Sequence, residues 1–235
     1  MEFSGTFELE DATADDVWLA LSDPAMVQHA LKGCEFLVRV DDEDPDFDAL
    51  REAHRGESPE LTSDPSVIED RAFEEGAIYA ALVEANVGSV SASFESVGTV
   101  DERDEPRMAA SGEGSAGNSS FEMSSWMELS EVEDGVAVEW AAEADVFGRL
   151  AQMGQRMLNP VANRMTKQFF ENLQEQIATL QGADADSSAE GTGGETPTAA
   201  GSGDVAASPD AGATDGDRGA IGGILARLKR LIGIG

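Results

Sequence analysis

Between Gly76 and Val146 the chain alternates apolar and polar residues through five successive segments, and from Leu150 to Leu180 apolar residues recur every three or four positions. A period of two followed by a period near 3.6 specifies strands and then a single long helix. The strands are expected near residues 77–87, 89–101, 106–116, 119–131 and 135–146. Gly88, Arg103-Asp104-Glu105, Ala116-Gly117-Asn118 and Glu133-Asp134-Gly135 separate them. Long strands joined by such short turns pair with their neighbours in sequence as an antiparallel meander. In the helix, Leu150, Met153, Met157, Val161, Met165, Phe169, Leu173, Ile177 and Leu180 share one side. Asn159-Pro160 is expected to kink it, because proline removes a backbone donor and crowds the preceding turn.

The N-terminal part supplies the remaining elements. Phe3, Gly5, Phe7 and Leu9 alternate with polar residues as a first strand over residues 2–10. Two short helices follow. Asp15 and Asp16 sit in the first turn of one, and Asp23-Pro24 opens another that Gly33 stops. Glu35 to Val40 reads as a second strand. Residues 41–75 then carry fourteen acids and three arginines with Pro45, Pro59 and Pro65, which reads as an acidic insertion loop with a short helix around Phe47 to Arg55. The fold class is therefore α+β, an antiparallel sheet wrapped around a long C-terminal helix with two short helices.

Tyr79, Ala81, Val83, Ala85 and Val87 fall on one face of their strand. The next continues with Val90, Ala92, Phe94, Ser96, Gly98 and Val100, and the last brings Val138, Trp140, Ala142, Ala144 and Val146. Small residues on an inner face leave room for an apolar pocket. They equally suit a packed interior in which the helix approaches closely, and these residues alone leave both readings open. Tyr79, Val83, Phe94 and Trp140 are the candidate pocket residues on the sheet. Met123, Met127, Met153 and Met157 suit a wall that adapts to different shapes.

Fifteen Lys and Arg oppose 47 Asp and Glu, a formal charge of −32. Such a surface excludes a general nucleic-acid binder. Lysine is confined to Lys32, Lys167 and Lys229. This balance suits a halophilic, haloarchaeal-type cytosol, where molar salt shortens the Debye length to about 3 Å. Cys34 has no second cysteine to pair with, and Glu2 follows Met1 where a signal segment would be basic and apolar, so a cytoplasmic location is expected. No run approaches the roughly 20 apolar residues of a membrane-spanning helix.

Residues 181–218 are almost wholly Gly, Ala, Ser, Thr, Pro, Asp and Glu, a composition expected to form a disordered acidic linker. Residues 219–235 reverse that character. They hold no acid, and Ile221, Ile224, Leu225, Leu228, Leu231 and Ile232 share one helical face, with Arg227 and Lys229 flanking it and Arg230 opposite. The segment reads as the chain's basic patch and as an amphipathic anchor for a membrane surface or a partner groove. The other reading is a final helix folded back on its own domain.

The order of strand, two short helices, meander and long helix resembles the helix-grip fold of the START and Bet v 1-like (SRPBCC) superfamily. The string GRLAQMGQRMLNPVANRMTKQFFENL at residues 148–173, Asp23-Pro24, Gly33-Cys34-Glu35, Val87-Gly88 and Ser111-Gly112-Glu113-Gly114 resemble more specifically the CoxG family, the G subunit of carbon monoxide dehydrogenase. The acidic insertion departs from that family, as does Lys32, where a proline usually precedes Gly-Cys-Glu. The resemblance implies a cavity for a hydrophobic molecule such as a lipid or quinone. It also implies a non-enzymatic accessory role, in membrane recruitment or maturation, beside a molybdenum hydroxylase of the carbon monoxide dehydrogenase type. An adaptor with a packed interior and no ligand is the competing expectation.

Other chemistry has little support in the sequence. Gly112 to Gly117 matches G-x-G-x-x-G, but alternation from Phe121 to Leu129 makes the following segment a strand rather than a phosphate-binding helix. His29 and Cys34 are close in sequence without a metal-ligand pattern, so Cys34 reads as a structural thiol. No metal and no cofactor is expected. An enzyme acting within the cavity would need a polar residue there, for which Ser96, Ser125 and Glu113 are the candidates.

Overall fold

The computed structural model describes residues 1–87, 90–153 and 155–190, with side chains at all of these except 86, 87, 90, 91, 153, 155, 157 and 182–190. The expected linker beyond Glu190 and the whole tail lie outside the described residues.

Strand β1 (Glu2–Glu10) leads into α1 (Ala14–Ser22) and α2 (Pro24–Ala30). Both helix starts follow from local chemistry. The Thr13 hydroxyl accepts from the Asp16 N–H while the Asp16 carboxylate accepts from the Thr13 N–H, a reciprocal cap. Asp23 caps α2 by accepting from the Ala25 N–H at 2.9 Å, with Pro24 in the first turn where its missing donor costs nothing. Gly33 then turns the chain at φ +88°, packed so closely on the Glu84 carbonyl that no side chain fits.

β2 (Cys34–Val40) precedes α3 (Phe47–Ala53) and α4 (Pro65–Arg71), and the meander follows as β3 (Ile78–Val87), β4 (Val90–Asp104), β5 (Arg107–Ala116), β6 (Ser119–Val132) and β7 (Gly135–Gly148). All seven strands form one antiparallel sheet in the order β1-β7-β6-β5-β4-β3-β2. β1 closes on β7 with Leu9 opposite Val136. The curved sheet grips the C-terminal helix, and the molecule is a helix grip.

The C-terminal helical span comprises α5 (Arg149–Met153) and α6 (Gln155–Glu190), with Pro160 inside the second turn of α6. Two expectations need correction. α6 continues through residues 181–190, into the span whose composition suggests linker. Residues 41–75 contain the expected short helix, α3, and a further one, α4. Phe47 and Leu50 of α3 pack on Phe36, Ala80 and Leu82, covering the outer side of β2 and β3. Ile68 of the unforeseen α4 is buried, and Leu61 and Phe73 join the main core.

That core occupies one end of the grip. Leu9, Leu129, Val136 and Val138 of the sheet meet Val17, Trp18 and Leu21 of α1 and Phe170, Leu173 and Ile177 of α6. Phe7 stacks on Phe170 at 5.1 Å. The α1–α2 junction is bonded to the insertion: the fully buried Asp23 carboxylate accepts from the Arg71 guanidinium at 2.6 Å, and the Phe73 N–H donates to the Ser22 carbonyl at 2.8 Å.

Candidate functional site

The other end of the grip is hollow. A cavity of about 540 Å³ lies between the inner face of the sheet and the first half of α6. Its origin is the size of the inward side chains. Ala81 and Ala85 of β3, Ser96 and Gly98 of β4, Ala110 and Gly112 of β5, Ser125 of β6 and Ala144 of β7 all line it. Leu158, Val161, Ala162 and Met165 step along the facing side of α6. With such small side chains on the sheet, the helix cannot fill the space opposite.

Gly112 is required for a second reason. A Cβ there would sit 2.5 Å from the Val97 carbonyl, so the close approach of β4 and β5 depends on its absence. At Gly98, which opposes Gly112 in the ladder, an added Cβ would meet only the Ser111 carbonyl, at 3.3 Å.

Larger apolar side chains close the rest. Phe73 and Tyr79 meet edge to face at 4.8 Å, and Phe94 lies 6.2 Å from Phe121. The Tyr79 hydroxyl accepts from the Glu74 N–H at 3.1 Å, which fixes the ring. Both inward serines are occupied by the backbone: Ser96 donates to the Ala81 carbonyl at 3.2 Å and Ser125 to the Ala110 carbonyl at 3.3 Å, each the residue directly opposite. Apart from the exposed Glu113, the lining therefore offers apolar surface and shape rather than charge, suited to holding a water-insoluble molecule.

The structure brings Tyr79, Val83, Phe94 and Met123 together around this cavity. Met127 and Trp140 share the inner face but sit further along their strands, directly opposite one another and packed against the main core. Trp140 lies over Gly5, where a Cβ would come within 3.2 Å of the indole nitrogen. Met153 and Met157 have no described side chains, and Ile221, Ile224, Leu225, Arg227, Leu228, Lys229, Arg230, Leu231 and Ile232 lie outside the described residues. Sequence reasoning missed Phe73, hidden in the acidic insertion, and Phe121 and Met108, which alternation places on the inner face with Met123 and Ala110.

The remaining reactive candidates do not converge. Cys34 is half-buried, its Sγ donating to the Phe36 carbonyl at 3.3 Å. Burial first, and the neighbouring Glu35 second, push its thiol up to about 12. It is a structural thiol. His29 is held by the Pro59 carbonyl at 2.8 Å and the Ser58 hydroxyl at 3.1 Å. Glu113 is among the residues lining the cavity but is an exposed residue of β5, and residues 112–116 continue that strand instead of forming a phosphate loop. Among the described residues no group of His, Cys, Asp or Glu is placed to hold a metal ion, and no helix is long and apolar enough to cross a membrane.

Residues 71–178 match the family model of the G subunit of carbon monoxide dehydrogenase (CoxG). The matched span holds the whole meander and the cavity-lining half of α6. Among solved structures, the chain is similar to a conserved protein of Geobacillus kaustophilus at 22% identity and a TM-score of 0.56, over 76% of this chain and 96% of that one. It is also similar to a Thermus thermophilus protein at 12% identity and a TM-score of 0.50, over 76% and 98%. These two likenesses show the fold alone. The Zhui aromatase/cyclase of a Streptomyces strain matches at 12% identity and a TM-score of 0.48, over 76% and 93%. No curated protein matches the chain in sequence.

Proposed function

We propose that this protein is a non-enzymatic carrier that holds a lipid or quinone in the cavity between the sheet and α6. The observation that carries the reading is the 540 Å³ space with its apolar lining, which falls within the roughly 300–1,000 Å³ of small-molecule sites. The inward-facing Ser96 and Ser125 already donate to backbone carbonyls, so binding rests on burial of apolar ligand surface. The match to the CoxG family of carbon monoxide dehydrogenase supports an accessory place beside a molybdenum hydroxylase of that type. A quinone would link such a redox enzyme to the bilayer.

The carrier is cytoplasmic and peripherally membrane-associated in this reading. The amphipathic pattern of residues 219–235 supplies the tether, and the acid-rich composition fits a salt-rich cytosol. The test is uptake by delipidated full-length protein of a short-chain quinone and of a fluorescent fatty acid. Saturation near one molecule per chain is expected for one of them; absence of uptake of both, by a chain that melts cooperatively, overturns the reading.

A further inference from the structure

Residues 146–170 contain Arg149, Arg156, Arg164 and Lys167 and no acid. In a chain with 47 acids this is the longest acid-free run, longer than the basic tail. The run coincides with the end of β7, α5 and the first half of α6.

The pairing of the arginines sets this surface apart. Arg39, Arg51, Arg55, Arg71 and Arg107 each contact a carboxylate, and Arg103 lies over the Trp18 ring. Arg149, Arg156 and Arg164 are exposed and have no carboxylate partner among the described residues, while Lys167 pairs with Glu171 at 3.3 Å. At 100° per residue, Arg156, Arg164 and Lys167 fall within about 80° of one another on α6, spanning about 17 Å along its axis. The cavity-lining Leu158, Val161, Ala162 and Met165 occupy the opposite side of the same helix. Phe147, just ahead of α5 in sequence, is 52% exposed.

We propose that the outer face of α5 and the first half of α6 docks on an anionic lipid surface, setting the helix that walls the cavity against the bilayer. The proposal rests on the carrier reading and names the surface through which the carrier meets its membrane. Charge complementarity selects the partner, because unpaired guanidinium groups on an otherwise acidic molecule favour a layer of anionic headgroups. In the molar salt of that reading the Debye length is about 3 Å, so acids elsewhere on the molecule are screened from a surface touching this face, and the cations act on headgroups by direct contact. The tail tethers; this face orients.

The test uses the full-length chain with Cys34→Ser and Asn163→Cys, carrying a polarity-sensitive fluorophore on the exposed position 163 between Arg156 and Arg164. Vesicles of phosphatidylcholine with 30% phosphatidylglycerol should shift its emission to the blue, while a label placed instead through Glu52→Cys stays silent. R149Q/R156Q/R164Q should raise the lipid concentration for half-maximal shift at least tenfold, since each cation near an anionic surface is worth about fivefold in affinity. Replacement of the three arginines by lysine should restore it. A silent label on protein that nevertheless sediments with the vesicles overturns the proposal, leaving the tail as the sole contact. A shift with soluble polyglutamate but not with vesicles also overturns it, in favour of an acidic protein partner. Quinone or lipid uptake measured on the same preparation reports the carrier reading separately: docking without uptake sinks only the carrier, and uptake with a silent label sinks only the docking face.

Discussion

Ala110→Leu distinguishes an open cavity from a packed interior by the sign of its effect. Ala110 faces the cavity from β5, between Val100 and Ser125 in the ladder, and its carbonyl accepts from the Ser125 hydroxyl. Leucine adds three carbons and leaves that backbone bond intact. If they enter empty apolar space, burial contributes about 0.8 kcal/mol per carbon, near 2.4 kcal/mol in all. The lost rotamer freedom of leucine offsets about 0.5–1 kcal/mol of it. The delipidated variant should gain roughly 1.5 kcal/mol, which for a domain of this size raises Tm by about 3–6 °C. The same side chain occupies part of the ligand's room, so uptake should weaken at least tenfold. Calorimetry and ligand titration on one preparation read both effects. Destabilisation by about 1–3 kcal/mol, the usual cost of overpacking, would refute the reasoning: it would mean that no space exists at this point of the interior.

Gly112→Ala should destabilise by at least about 2 kcal/mol in a denaturant melt, because the new Cβ would meet the Val97 carbonyl at 2.5 Å. Gly98→Ala, with its nearest contact at 3.3 Å, should cost well under half of that. Cys34, with its thiol pushed up to about 12, should react with iodoacetamide at pH 8.5 about a thousandfold more slowly than a free thiol, since the thiolate is the nucleophile. By the same linkage, a raised folded value means that the neutral thiol's contribution is intact below the ordinary value of 9.0 and is lost as pH rises from there toward 12. Cys34→Ser should remove that alkaline dependence in urea melts. Asp23→Ala should lower stability by about 3 kcal/mol, since it strips the Arg71 guanidinium of its buried carboxylate and α2 of its cap.

The strands are legible because alternation and turn residues are local signals, and the five segments of the meander lie within a few residues of their expected places. Alternation also says which face a side chain takes. It does not say how far along the helix the opposing bulk extends. Met127 and Trp140 share the inner face with Met123 and Ala144, yet one pair packs against the main core while the other faces a gap. That lengthwise division arises from the tertiary position of Phe170, Leu173 and Ile177. The density of acids conceals α4 and Phe73, because few apolar residues there carry a period and the ones present pack singly. The arginines of residues 146–170 are visible in the sequence as charge, but whether a carboxylate lies beside each of them is set by the fold, and the apolar spacing of the segment dominates its pattern.

Organic extraction and mass spectrometry of protein purified from its native cells test the carrier account most directly. One quinone or lipid species near one per chain, depleted in the Ala110→Leu variant, is the predicted result. An empty extract from folded protein, together with no uptake on titration, would contradict it.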